Sequence, residues 1–236
     1  MFLVTILLTL VVAINCVNTF REPAQQIKKE IKSVEIKDGK IIDYIKDSTV
    51  AIYSKDNSIG IDLYIVKCGG VWIDDNTVLT AGHCVDDGNI VYYETWQEVR
   101  NSNNILLYAK KALVLKIDTP HDLALLTSID DPGSHKYTRI NDFSEIGDAV
   151  RIVGHPDEYP FTYVNGTLSA KRYITNPRET KTGVLQIAAP IWFGYSGGGV
   201  FNSKGQLLGI CSYISRIVPQ TSFFVDADEI NRFIGR

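Results

Sequence analysis

Three short segments carry side chains that together can hydrolyse an acyl bond. They are VLTAGHC (Val78–Cys84) with His83, HDLALL (His121–Leu126) with Asp122, and FGYSGGG (Phe193–Gly199) with Ser196. A serine hydroxyl is a weak nucleophile until a neighbouring base takes its proton. An imidazole does this well when a carboxylate fixes its tautomer and stabilises its protonated form. Glycines around Ser196 remove side-chain bulk, so the chain turns tightly and backbone N–H groups come close to a ligand. The amides of Gly194 and Ser196 can then point at one spot and hold an oxyanion, where losing one donor costs about 3–4 kcal/mol. Each motif alone has a plainer reading: a glycine turn, a structural histidine, a capping aspartate. Their joint presence in the order His, Asp, Ser, each at the edge of a predicted strand, favours a catalytic constellation facing a cleft.

Two further histidines stand outside it. His121 adjoins Asp122 and reads as a surface residue or a support for that carboxylate; His155, in VGHP, reads as part of a loop between strands. The sequence has four His and no paired spacing of the HExxH kind, so no metal is expected. It has no GxGxxG or P-loop pattern either, and no cofactor is expected.

The elements that must position these residues are short strands. From Ser48 onward, runs of Val, Ile, Leu and Tyr alternate with Gly, Asn, Asp and Pro. The runs predict strands at Val50–Tyr53, Leu63–Val66, Gly70–Ile73, Val78–Thr80, Ile90–Tyr93, Leu106–Tyr108, Ala112–Ile117 and Leu123–Leu126. A polar break from Asp130 to Asp142 separates them from a second set at Ala149–Gly154, Phe161–Leu168, Gly183–Ile187, Gly199–Phe201, Leu207–Tyr213 and Ser222–Val225. Many short strands with turns between them indicate an all-β barrel or sandwich, here in two halves. At the C-terminus the period changes. Asp226 or Asp228 can cap a short helix over EINRFI, with Ile230, Phe233 and Ile234 on one side.

Composition agrees with a folded domain. The chain has 236 residues, 45% of them hydrophobic and 22% charged, which argues against a disordered or fibrous protein. With 24 Lys+Arg against 27 Asp+Glu, the net charge of −3 argues against a nucleic-acid partner. Residues 1–20 are apolar and read as a signal peptide or an uncleaved N-terminal membrane anchor, with lipidation at Cys16 as a third reading. Residues 21–47 are charged, with Ile27, Ile31 and Val34 at helical spacing, and read as a linker helix or a pro-segment.

The sequence resembles the chymotrypsin-like (trypsin-fold) serine endopeptidases. CGGVWIDDNTVLTAGHC is similar to that family's histidine region, HDLALL to its aspartate region, and GYSGGG to its nucleophile region. LLGICSY (Leu207–Tyr213) resembles the strand that lines the substrate cleft. The likeness runs from Val50 to the C-terminal helix. It implies two antiparallel six-stranded barrels, in lobes of about 48–130 and 142–236, with the active site between them. It also implies roles: His83 as general base, Asp122 as its orienting carboxylate, Ser196 as nucleophile, and Gly194 with Ser196 as the oxyanion hole. In that family a disulfide ties the histidine loop to the preceding strand, and Cys68 and Cys84 stand in its place. Such a loop adds about 3 kcal/mol in the chain-entropy model and implies an oxidising compartment. Two free buried thiols are the other reading of this pair, and Cys211 is left over as a buried free thiol.

The departures are informative. Zymogen-activated digestive members carry an Asp directly before the nucleophile, whereas this chain has Tyr195 and no Ile-Val-Gly-Gly activation sequence. That switch is not expected, and the chain is more similar to bacterial and phage-type members. With no PDZ module after residue 236, the heat-shock type that carries such modules is not expected. Six positions before the nucleophile, where the trypsin branch has an Asp for basic side chains, stands Pro190, so a small or medium apolar P1 residue is expected. The expected protein is a secreted or extracytoplasmic endopeptidase acting on protein or peptide substrates through an acyl-enzyme. The sequence leaves its oligomeric state open. The competing readings are a catalytically inactive protease-fold binding module and an esterase with the same residues.

Overall fold

A computed structural model describes residues 38–56, 63–85, 90–101, 109–131, 133, 135–156, 159–175 and 180–236. The expected signal or anchor at 1–20, Cys16 and the candidate strand Leu106–Tyr108 lie outside the described residues. Of the expected linker, residues 38–47 are described, and they are helical (α1). The chain divides into two compact units, Met1–Ile41 and Ile42–Arg236.

Twelve strands are described, in two closed antiparallel barrels of six. The first holds β1 (Thr49–Asp56), β2 (Leu63–Trp72), β3 (Thr77–Thr80), β4 (Ile90–Thr95), β5 (Lys110–Asp118) and β6 (Leu123–Ser128), closed in the order β1-β2-β3-β6-β5-β4. The second holds β7 (Ala149–Gly154), β8 (Thr162–Thr175), β9 (Lys181–Ala188), β10 (Gly199–Phe201), β11 (Leu207–Ile214) and β12 (Thr221–Asp226), closed as β10-β11-β12-β9-β8-β7. Closure pairs every edge, which is how short strands of this kind bury one face and leave no open ladder. The inward positions alternate as the sequence pattern requires: in β5, Ala112 and Val114 are buried while Lys111 and Leu113 are exposed.

The expectation of two six-stranded barrels agrees with this architecture. The run Leu63–Val66 and, up to Trp72, the run Gly70–Ile73 are parts of one strand, β2, because Gly69 and Gly70 remain in the ladder opposite Ala51 and Val50. A short helix, α2 (Trp96–Asn101), follows β4 where no helix is predicted. The C-terminal helix α3 (Ala227–Ile234) is capped by Asp226, whose side chain accepts the Glu229 N–H, and ends on Gly235 in the left-handed conformation (φ 79°). Its Ile230 and Phe233 are buried.

The polar break between the halves is stapled to both barrels. Thr138 N–H donates to the Trp72 carbonyl of the first barrel, and Leu207 N–H of the second donates to Arg139. Ile140 pairs with Leu207 as an isolated parallel bridge, and His135 stacks on Trp72 with ring centroids 3.8 Å apart.

Candidate active site

His83 sits on a single 3-10 turn, Gly82–Cys84, that follows β3 directly. Asp122 ends the turn before β6. Because β3 pairs with β6, with Thr80 opposite Ala124, both turns emerge at the same end of the first barrel. Asp122 has a left-handed backbone (φ 57°), a conformation that aspartate tolerates better than most residues. Its carboxylate accepts two kinds of hydrogen bond from His83. The backbone N–H reaches Oδ1 at 2.9 Å, and the ring Nδ1 stands 3.0 Å from Oδ1 and 2.9 Å from Oδ2. The ring is thereby held with Nδ1 as donor, which leaves Nε2 as the basic nitrogen. The side chains are 46% and 24% exposed, so the pair can meet a ligand from solvent.

A third donor comes from the other barrel. Ser212 Oγ on β11 donates to Asp122 Oδ2 at 2.5 Å. Sequence reasoning did not single out Ser212; its signal was a hydroxyl inside the apolar run LLGICSY.

Ser196 belongs to the loop before β10. That loop is strapped to β11 by Gly197 N–H to the Cys211 carbonyl and Cys211 N–H to the Gly198 carbonyl, each 2.8 Å. Across the seam, Gly69 N–H on β2 donates to the Ser196 carbonyl at 2.7 Å, and Thr80 Oγ1 donates to the Gly69 carbonyl at 2.7 Å. Only glycine fits at 197. Its φ is +74°, and a Cβ would lie 2.3 Å from both the Gly69 carbonyl and Thr80 Oγ1. The loop thus packs onto the strand that leads into the His83 turn. Among the described residues, no hydrogen bond joins the Ser196 hydroxyl to the His83 ring.

The N–H groups of this loop divide into two sets. Those of Tyr195, Gly197 and Gly198 donate to backbone carbonyls. Those of Gly194 and Ser196 donate to none among the described residues. Gly194 has φ +90°, and a Cβ there would lie 2.3 Å from the His155 carbonyl.

Cys68 on β2 and Cys84 beside His83 form a disulfide, with Cα atoms 6.0 Å apart. These sulfurs lie near the His83 ring, but sulfur held in a disulfide offers no thiolate to a metal. Cys211 is a buried free thiol whose pKa is pushed up by burial and by the nearby Asp122 charge. His121 is partly buried, with Nδ1 2.9 Å from Asp118 Oδ2. His155 directly follows β7, on the loop between β7 and β8 as expected, and is fully buried. Ahead of Ser196, Ala189 and Ile191 are buried while Trp192 and Phe193 are exposed, their rings edge to face at 5.1 Å. A cleft of about 750 Å³ opens beside His83, Asp122 and Ser212, walled by apolar residues of both barrels that include Ile117, Pro120, Ile174, Val184 and Tyr213.

The chain is similar to known proteins. A protease named Serine protease Do-like HtrA from Lactobacillus helveticus is 33% identical over 181 residues, covering 75% of this chain and 37% of that protein. A probable periplasmic serine endoprotease, DegP-like, from Pseudomonas putida is 31% identical over 148 residues, covering 62% of this chain and 28% of that protein. The chain therefore spans roughly a third of the length of these relatives. Among solved structures, the active form of the Rv3671c protease from M. tuberculosis superposes with a TM-score of 0.68 at 20% identity, covering 83% of this chain and 82% of that one. At that identity the likeness speaks for the fold. The sequence model of the trypsin-like peptidase domain matches residues 68–210, more than half of the chain, and the chain belongs to that family.

Proposed function

We propose that this protein is a serine endopeptidase that cleaves peptide bonds through an acyl-enzyme formed on Ser196. The observation that carries the reading is the Asp122 carboxylate, which binds both the backbone and the ring of His83 and so presents the other ring nitrogen as a base. His83 takes the Ser196 proton as Oγ attacks the substrate carbonyl. The tetrahedral oxyanion is received by the N–H groups of Gly194 and Ser196, which no carbonyl among the described residues occupies. His83 then returns its proton to the leaving amine. Water, activated by the same base, attacks the ester carbonyl, and Ser196 leaves with its proton restored.

Residues 188–195, directly ahead of Ser196, include no carboxylate to pair with Lys or Arg, which supports a small or medium apolar P1 side chain. A peptide-library profile dominated by Arg or Lys would overturn that preference. The Cys68–Cys84 disulfide supports an oxidising, extracytoplasmic site of action, with residues 1–20 as export signal or anchor and 48–236 as the protease domain.

One observation favours a different reading, a protease-fold binding module: the Ser196 hydroxyl and the His83 ring share no hydrogen bond. A fluorophosphonate decides between them. Labelling at Ser196 that disappears in Ser196→Ala supports the peptidase; an unlabelled, folded protein that hydrolyses neither casein nor peptide esters supports the module.

A further inference from the structure

His155 is a fully buried imidazole to which the mechanism above gives no part. Its Nδ1 accepts the Phe161 N–H at 3.2 Å, so the ring proton resides on Nε2. Nε2 is itself buried and has no hydrogen-bond partner among the described residues. A buried polar nitrogen of this kind calls for an explanation, and the bond that the other nitrogen makes supplies one. Burial pushes the pKa of this imidazole down to about 3, so it remains a neutral acceptor throughout the neutral range.

The surroundings of the ring indicate what it holds. Phe161 has a left-handed backbone (φ 59°), a strained state for an aromatic residue, and its N–H is fastened by His155 Nδ1. The Phe161 ring meets His155 edge-on at 4.6 Å and then Trp96 of the first barrel at 5.4 Å. On its other side, His155 touches the chain around both free amides. Its backbone N–H donates to the Gly194 carbonyl at 3.0 Å. Its ring carbon Cδ2 closes on Gly69, leaving only 2.9 Å to where a Cβ would stand, and Gly69 is the residue whose N–H binds the Ser196 carbonyl.

We propose that His155 is a positioning residue for the oxyanion-binding loop: braced by Phe161 and Trp96, it fixes the peptides of Gly194 and Ser196 so that their free N–H groups stay turned to the substrate. The role rests on the peptidase reading. It also makes the first barrel's α2 part of the support for a loop of the second barrel.

The test compares His155→Leu with His155→Asn, whose Oδ1 lies near the position of Nδ1 and can accept the Phe161 N–H. Two readouts are taken: amide hydrogen exchange of the segment around Gly194–Gly198, and kcat and KM on Ala-Ala-Pro-Val p-nitroanilide. His155→Leu is expected to accelerate exchange in that segment and to lower kcat about tenfold to a hundredfold, with KM changed less than about twofold. His155→Asn is expected to restore both. Trp96→Leu, which removes the far brace, should move both readouts the same way by less, and it decides the matter if His155→Leu does not fold. Parental exchange and kcat in His155→Leu, an Asn variant no better than Leu, or an inert Trp96→Leu where His155→Leu cannot be made would each overturn the role. If the parent neither cleaves the substrate nor is labelled at Ser196, the peptidase reading falls. The exchange comparison alone then still decides whether His155 holds the loop.

Discussion

Ser212 on the second barrel donates its hydroxyl to Oδ2 of Asp122 on the first, the same oxygen that faces Nδ1 of His83. One carboxylate therefore joins the two barrels at the point where the His83 ring is oriented. Removing this donor leaves Asp122 bound to His83 but freer to rotate. Hydrogen bonds to charged groups contribute about 1.5–3 kcal/mol, and partial exposure of Asp122 favours the low end. Ser212→Ala is expected to lower kcat about tenfold with little change in KM, read from steady-state kinetics on a peptide amide.

Asp122→Asn is the harsher change. The amide can still meet His83, but it can donate to Nδ1 and so stabilise the wrong tautomer. In a related Ser-His-Asp site this substitution costs about 10⁴ in kcat. A comparable fall is expected here, alongside a melting temperature close to the parent's. Hydrolysis within tenfold of the parent would remove Asp122 from the mechanism.

Ser196→Ala should abolish fluorophosphonate labelling and lower peptide hydrolysis by at least about 10³. Its thermal unfolding should match the parent's, since the loop is held through backbone groups at Ser196, Gly197 and Gly198. Activity at the parental level would place the nucleophile elsewhere.

The disulfide closes a short loop and anchors the residue next to His83. Replacing Cys68 and Cys84 together with Ala is expected to cost about 3 kcal/mol in urea unfolding. The loss of turnover should exceed that of stability near neutral pH, because the His83 turn loses its tether to β2.

A pH effect separate from catalysis is expected inside the first barrel. Glu94 is buried, receives the Tyr53 hydroxyl at 2.8 Å, and has its pKa raised to about 7, first by desolvation and then by the neighbouring Glu98 charge. Between the ordinary carboxyl range and about 7 the folded state binds a proton that the unfolded chain has released. Stability therefore falls as pH rises through that window. Glu94→Gln should flatten the slope, as seen in thermal melts taken from pH 4.5 to 7.5. An unchanged slope would show that Glu94 ionises freely in the fold.

The barrels were legible because strand periodicity is local. In β5 and β6 the buried residues recur at the pleat's spacing, and each strand is bounded by turn formers. The candidate site was legible because His83, Asp122 and Ser196 lie in short motifs whose glycines record a backbone requirement; at Gly197 and Gly194 the structure leaves no room for a Cβ. The helix α2 was not legible. Its sequence, WQEVRN, is too short to carry a periodic signal, and Trp96 packs on Phe161, far away along the chain.

Residue types and order along the chain sufficed to specify strands, turns and a set of candidate reactive groups, since these depend on neighbours a few positions away. Which hydroxyl steadies Asp122, which histidine is entombed beside Gly194, and which amides are left without a carbonyl depended on how one barrel is seated against the other. Those contacts join Ser212 to Asp122, Gly69 to Ser196 and Trp96 to Phe161. Each is made between elements of different barrels, helix α2 included, where side-chain packing rather than local backbone preference sets the approach.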